Sequence, residues 1–575
     1  MMAKTRYIIY HIHRQVAHKL IRRLISMDIR KEIESFFEGD IDDSPAALET
    51  YSRDASIFCI KPSLVVFPKN VEAIKKLVAF AANATKNGYP ITLTPRCAGT
   101  DMTGGPLTES IVVEMTRYFN HTKKVEGDTA IVEPGVYYRD FERETLKLGM
   151  ILPSYPASRE ICTVGGMVAN NAGGEKTLRY GKTENFVKEV KMVLHDGNEC
   201  TFKKLTKTEL QEKINLNTFE GSIYKNLSSL IRQNEGALRA AKPNVTKNSS
   251  GYFLWNVYDP TDDTFDITRV ITGSQGTFGI ITEITFRLVK PEPASRILVI
   301  FLRDTKRMSE LTEQILTFHP ETFESYDDHT FKLAIRFFPE ILARMKGNIL
   351  RMGLSFLPEA WMLATGGIPK LVLLVEFTGK DIADAEAKAQ TAYNHLHKAF
   401  DYKMRVTKND EEGKKLQVIR RESFSLLRKH VRGLRTAPFI DDFAVQAKYL
   451  PEFFEKLYNI LNSYRLIYTI AGHVGDGNFH IIPLMDLSKP DAKDIIVKLS
   501  REVYDLVLSY KGTITAEHND GIIRGPFLEQ QFGKEIYGFF LETKKIFDPD
   551  GIFNPSKKIN VTLDYAVSHI DTKMS

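Results

Sequence analysis

The stretch "PASREICTVGGMVANNAGGEKTLRYGKT", residues 156–183, holds five glycines and two adjacent asparagines, with few large side chains between 163 and 174. Glycine gives up more backbone freedom on folding than any other residue, so a run this dense persists where something must approach the main chain closely. A second run, "TPRCAGTDMTGGP" (residues 94–106), follows the strand-like "YPITLT". A third, "TGSQGTFG", carries Gly273, Gly276 and Gly279 into the apolar "IITEITFRL". Inward-turned N–H groups in such loops form an anion cradle. The loop at 94–106 matches neither a P-loop nor the G-x-G-x-x-G fingerprint. Together the loops point to a large dinucleotide lying along the backbone.

At 575 residues the chain exceeds a single core and implies several domains. Its 78 basic and 72 acidic residues leave a net charge of only +6, which does not suggest a nucleic-acid partner. Cys59, Cys97, Cys162 and Cys200 are far apart and form no CxxC pair, which argues against an iron–sulfur cluster on this chain and for a reducing compartment. The N-terminus lacks the core and cleavage site of a secretory signal, and no apolar run is long enough to span a bilayer, so a cytoplasmic location is expected. Between residues 11 and 28, Val16, Leu20, Ile21, Leu24 and Ile25 recur at helical spacing opposite His and Arg. Such a helix could rest peripherally on the inner face of an anionic membrane; a surface helix packed on its own domain is the plainer reading.

Strand-like runs ("SIVVEM", "TAIVEPGV", "VKMVLHDG") alternate with helical ones ("VEAIKKLVAFAANA"), an α+β pattern. The reading divides the chain into a helical extension (1–50), which runs into the acidic, loop-like "EGDIDDSPAALETYSRD", a glycine-loop domain (51–291), a second α+β domain opening at "KPEPASRILVIFL" (292–525), a segment returning to the first domain (526–560) and a solvated tail (561–575).

In "AGHVGDGNFH" (471–480), "LIYTIAGH" reads as a strand, "VGDGN" as a tight turn and "FHIIPL" as the returning strand. His473 and His480 would then face each other across a hairpin. In "TITAEHNDG" an apolar strand runs into Glu517 and His518. From these four comes an N,N,O set suited to Zn²⁺, or to Mn²⁺ or Fe²⁺, with a position open for substrate. The plainer alternative is a packed core histidine, an exposed one and a polar strand end. "VIRRESFSLLRKHVRGLRTAPFIDD" (418–442) reads by pattern as a helix with a solvated basic face.

The order "KPSLVVFP", "PRCAGTDMTGG", "VEPGV", "TVGGMVANNAGGEKTLRYGKT", "GSQGTFGIITE", "GHVGDGNFH", "GTITAEHNDGIIR" and "DPDGIFNP" resembles the FAD-linked oxidases of the vanillyl-alcohol oxidase type, from about residue 50 to about 560. Within them it is most similar to the D-lactate, glycolate and D-2-hydroxyglutarate dehydrogenases. The resemblance implies a two-subdomain PCMH-type FAD-binding domain followed by an α+β FAD-linked oxidase C-terminal domain that caps the substrate. It implies FAD contacts at Arg96, Ala98, Gly99, Thr100, Gly104 and Gly105 near the pyrophosphate. Pro156, Ser158, Thr163, Gly165, Gly166, Asn170 and Asn171 would follow the flavin and ribityl chain, with Gly173, Ile280 and Asn554 nearby. The first glycine loop has no histidine, so FAD is expected to be non-covalent. Cys97 replaces a usual glycine and Gln275 a usual glutamate.

The same resemblance implies metal ligands His473, His480 and Glu517, a catalytic base at His518, and Arg421 on the substrate carboxylate, with Ser425 a weaker candidate. No lysine stands near "FIDD" for a second carboxylate, although Lys429 or Arg432 could substitute; D-lactate is the best-matched substrate. The sequence stops before the cysteine-rich domain of large bacterial relatives, so electrons are expected to pass to a separate quinone, cytochrome or iron–sulfur partner. A non-redox transferase of the alkylglycerone-phosphate synthase kind and a non-catalytic flavoprotein subunit are the competing classes.

Overall fold

The computed structural model describes residues 28–328, 330, 332, 367–409, 411–413, 416–417 and 433–573. The basic helix expected between residues 11 and 28 lies outside them except for Asp28, and Arg421, Ser425, Lys429 and Arg432 lie outside them entirely.

β1 (Gly39–Asp42) and β2 (Leu64–Pro68) pair antiparallel, and β3 (Leu93–Arg96) and β4 (Ile111–Glu114) extend the sheet in parallel, in the order β1-β2-β4-β3. "LVVFP" is buried along its whole length, as a strand covered on both faces requires. α1 (Val71–Lys86) connects β2 to β3. Asn70 caps it by accepting from the Ala73 N–H, and Ile74, Leu77, Val78 and Ala81 form its buried stripe.

The second sheet is antiparallel. It comprises β5 (Thr122–Glu126), β6 (Thr129–Val132), β7 (Val187–Val193), β8 (Glu199–Leu205), β9 (Tyr258–Asp259), β10 (Thr264–Asp266) and β11 (Ile280–Arg287), in the order β5-β6-β11-β7-β8-β10-β9. Its core includes residues of α2 (Val164–Asn170) and α3 (Phe219–Gln233). The glycine-dense run at 156–183 is therefore partly helix, and Thr163 caps α2 by accepting from the Gly166 N–H.

The third sheet, also antiparallel, begins at β12 (Ala294–Leu302) and includes β13 (Thr322–Asp327), β14 (Leu371–Gly379), β15 (Lys403–Val406), β16 (Arg435–Thr436), β17 (Phe443–Ala444), β18 (Ile467–His473) and β19 (Asn478–Met485). α4 (Met308–Leu316), α5 (Ile382–Ala399), α6 (Leu450–Ser463) and α7 (Ala492–Ser509) contribute to its core. α8 (Leu528–Phe547) then leads back, and Phe553 bridges to Leu93 beside the first glycine loop.

Three readings need correction. The acidic passage near residue 40 is not a loop: β1 is an edge strand, where Asp40 and Asp42 stay partly exposed while the backbone pairs with β2. Residues 561–573 are not a solvated tail, because Leu563–Ser568 is helical, Ile570 bridges Phe58, and Asp571 pairs with Arg53 and Arg435. No strand leads into Glu517; apart from a bridge between Ala444 and Thr513, that stretch is irregular.

Candidate active site

His473 and His480 stand on the β18–β19 hairpin, whose register pairs His473 with Asn478 and Ala471 with His480. Alternation places residues 471 and 473 on one face, so the two histidines are diagonal neighbours, with ring centroids 5.4 Å apart. The turn closes on Gly477 in the left-handed conformation, where a Cβ would stand 1.8 Å from the Val445 carbonyl oxygen.

Each histidine is fixed through Nδ1. His473 Nδ1 lies 2.7 Å from Glu324 Oε1, and His480 Nδ1 lies 3.1 Å from Asp441 Oδ1. Both Nε2 atoms then look toward Glu517, at 3.4 Å from Oε1 for His473 and 3.8 Å from Oε2 for His480. Two imidazole nitrogens oriented by carboxylates, with a third carboxylate between them, are donors of the kind a divalent ion takes. The residues present therefore fit such an ion.

The donor atoms of Asp442, His480, Glu517 and His518, a set that does not include His473, lie within 4.8 Å of one another. Asp442 is already committed: its Oδ2 accepts from the Thr515 hydroxyl and from the N–H groups of Ala516, Glu517 and His518. It shapes the loop rather than offering a ligand atom. This nest of N–H groups replaces the strand expected before Glu517.

His518 Nδ1 lies 3.0 Å from Asp441 Oδ2, an electrostatic contact not aligned as a hydrogen bond, and its ring stacks on His480. Burial opposes a charge on His518, but Asp442 and Asp441 outweigh it and raise its pKa to about 9. Burial likewise opposes ionisation of Asp441, and His518 and His480 overcome this, holding it far below the usual carboxylate range.

One cavity of about 680 Å³ joins this cluster to the glycine loops. His473, His480, Glu517 and His518 line one part of it; Arg96, Ala98, Gly99, Thr100 and Gly105 line another. Pro156, Ser158, Thr163, Gly165, Gly166, Asn170 and Gly173 supply further wall. The volume suits a large cofactor with a small substrate. The N–H groups of Ala98, Gly99 and Thr100 have no hydrogen-bond partner among the described residues, whereas Asp101 and Asp54 brace the loop through Thr103, Gly105 and Gly104. A backbone cradle with free donors fits a pyrophosphate.

Four expected cofactor contacts do not line the cavity. Ile280 is buried in a core, and alternation along β11 puts Ile281 in the wall instead. Gly104 packs near Phe58 and Ile522, while Asn171 turns its Oδ1 to the Glu184 N–H. Asn554 donates to the carbonyls of Gly105 and Gln275, tying two glycine loops together. Arg96 lines the cavity, yet its guanidinium donates to the carbonyls of Tyr51 and Arg53.

The sequence reading missed Glu324, Asp441 as a histidine partner, and Lys247. Lys247 is buried with its ammonium 2.6 Å from Glu517 Oε1 across a separation of 270 residues, and "VTKNSSGY" gives no local signal of it. For Asp441, the acidic pair ending "PFIDD" was the available clue.

Fold and site define a two-domain flavoprotein. Residues 62–203 match the FAD binding domain model, and residues 293–558 match the model of the FAD linked oxidases, C-terminal domain. The chain belongs to the FAD-linked oxidases. It is 26% identical over 530 residues to a D-2-hydroxyglutarate dehydrogenase of Escherichia coli (strain K12), covering 91% of this chain and 50% of that one. The chain thus spans about half the length of that relative. It is 25% identical to the glycolate oxidase subunit GlcD of Bacillus subtilis (strain 168), covering 93% and 97%, and 25% identical to a D-lactate dehydrogenase of Archaeoglobus fulgidus, covering 86% and 91%. Among solved structures, alkyldihydroxyacetonephosphate synthase superposes with a TM-score of 0.63 at 15% identity, over 91% of this chain and 85% of that one. p-Cresol methylhydroxylase does so with 0.62 at 14%, over 91% and 94%. These two likenesses concern the fold alone. No helix among the described residues is long and apolar enough to cross a membrane.

Proposed function

We propose that this protein oxidises a D-2-hydroxy acid, with D-lactate the best-matched substrate, to the 2-oxo acid, using non-covalent FAD and a divalent metal ion, Zn²⁺ first among the candidates. The observation that carries this reading is the single cavity shared by the glycine loops and the histidine cluster.

His473, His480 and Glu517 would hold the metal ion and His518 would act as base, its Nδ1 kept near Asp441 so that Nε2 takes the hydroxyl proton. FAD, when bound, supplies the acceptor for the two electrons and the C2 hydrogen. A divalent ion, when bound, supplies a Lewis acid that lowers the pKa of a bound hydroxyl and opposes the charge on His518. Arg421, outside the described residues, is assigned to the substrate carboxylate, a task that suits the guanidinium fork. Electrons would then pass to a separate acceptor.

The cavity wall beside the histidines supports a short, apolar side chain on the substrate. Thr469, Ala471 and Ile482 line the cavity, and alternation along the hairpin places them on the face of His473 and His480. Among the described residues, this strand face offers no cation to a second carboxylate.

Anaerobic titration of the FAD-loaded protein with D-lactate, D-2-hydroxyglutarate and glycolate, followed by the oxidised-flavin absorption, tests the reading. Bleaching by D-lactate is expected. No bleaching by any of the three contradicts it and favours the transferase or subunit classes.

A further inference from the structure

Lys247 is completely buried, yet it is no isolated core lysine. Its ammonium meets three oxygens: Glu517 Oε1 at 2.6 Å, Asp476 Oδ2 at 3.1 Å and the Gly174 carbonyl at 3.1 Å. An ammonium has three N–H donors, so none remains for a substrate. What Lys247 touches is the carboxylate that both histidine Nε2 atoms approach.

The backbone carrying Lys247 is tied to the two loops that bear the site. Thr246 Oγ1 donates to the Asp476 carbonyl in the hairpin turn, and the Ser249 N–H donates to the Thr515 carbonyl two residues before Glu517. The Gly251 N–H donates to Asp520 Oδ2 beyond it. The ammonium therefore sits at a place set by the same contacts that set the hairpin and the Glu517 loop.

A carboxylate on a side chain with several rotatable bonds needs an outer partner to stay aimed at a metal ion, and such partners matter nearly as much as the ligands. Glu517 has two oxygens and only one is claimed by Lys247. Without the ammonium, Glu517 and Asp476 would face each other as buried like charges.

We propose that Lys247 is a positioning residue for the metal ion: it clamps Glu517 Oε1 and so holds the carboxylate in the orientation that completes the set with His473 and His480. This rests on the metal reading above.

The test uses the full chain loaded with FAD, stripped by a chelator and then titrated with Zn²⁺ in competition with a chromophoric chelator. Flavin absorption reports FAD retention independently. Wild type is expected to bind Zn²⁺ stoichiometrically, and Lys247→Met to retain FAD while binding Zn²⁺ about 10- to 100-fold more weakly. The double variant Lys247→Met, Asp476→Asn relieves the surplus buried carboxylate and carries the test if the single variant fails to fold; it is expected to bind Zn²⁺ as weakly. Wild-type Zn²⁺ affinity in either folded variant overturns the role of Lys247 and leaves the metal site standing. Absence of Zn²⁺ binding by wild type overturns the metal reading and this inference with it.

Discussion

His473 presents Nδ1 to Glu324 Oε1 at 2.7 Å, and this contact leaves Nε2 directed at Glu517. Burial opposes a charge on His473 most strongly, and Glu324 and Glu517 together overcome it and raise the pKa of the ring. Glu324 lies on β13, beside β18 in the sheet, and its Cα is in register with that of His473. Replacing Glu324 with alanine frees the ring to turn. Metal affinity should fall about 10- to 100-fold while FAD stays bound, as measured by Zn²⁺ competition beside the flavin spectrum.

His518 is expected to carry the proton transfer without holding the metal ion. His518→Gln should slow anaerobic flavin reduction by D-lactate about 10²- to 10⁴-fold, with metal and FAD content unchanged. Stopped-flow reduction with metal analysis of the same sample measures both. Loss of the metal ion from this variant would make His518 a ligand instead.

Much of this arrangement is legible in the sequence because its determinants are local. The hairpin follows from "AGHVGDGNFH", where a glycine-containing turn separates two apolar runs, and α1 follows from the spacing of Ile74, Leu77, Val78 and Ala81. The partners of the site are not local. Glu324 meets His473 across a separation of 149 residues, and Asp442 organises the Glu517 loop through N–H groups that no side-chain pattern reveals. On β11 the Ile280 side chain packs in a core while Ile281, one position on, lines the cavity, an alternation that motif matching does not resolve. Asn554 donates to the carbonyls of Gly105 and Gln275, and Asn171 Oδ1 accepts from the Glu184 N–H while its buried Nδ2 has no hydrogen-bond partner among the described residues.

Two glycines separate fold from binding. A Cβ at Gly174 would stand 2.2 Å from the Tyr155 carbonyl oxygen, so Gly174→Ala should destabilise the apo-protein. A Cβ at Gly166 would meet only Thr163 Oγ1, at 3.3 Å, and Gly166 sits inside α2 on the cavity wall. Gly166→Ala should change apo-protein stability by less than about 1 kcal/mol, alanine's better helix propensity being set against crowding of the capping Thr163 hydroxyl, while weakening FAD binding. Thermal unfolding without FAD and flavin retention on gel filtration distinguish the two.

Burial lowers the pKa of Lys182 to about 8; its acceptors include the carbonyls of Asn248 and Ala516. Unfolded, the same side chain titrates near 10.4. Between these values the unfolded chain binds a proton that the folded chain does not, so this group makes stability rise with pH through that window and lose that contribution as pH falls through about 8. Lys182→Met should remove this component. Urea midpoints of wild type and variant at about pH 7.5 and about pH 9.5 should show a wild-type gain that the variant lacks.

The most direct measurement is anaerobic flavin reduction by D-lactate in the FAD-loaded protein before chelation, after it, and after Zn²⁺ or Mn²⁺ is restored. Bleaching that is lost with the chelator and recovered with the metal ion is the expected result. Bleaching indifferent to metal would contradict a metal site built from His473, His480 and Glu517, and its complete absence throughout would contradict D-lactate oxidation itself.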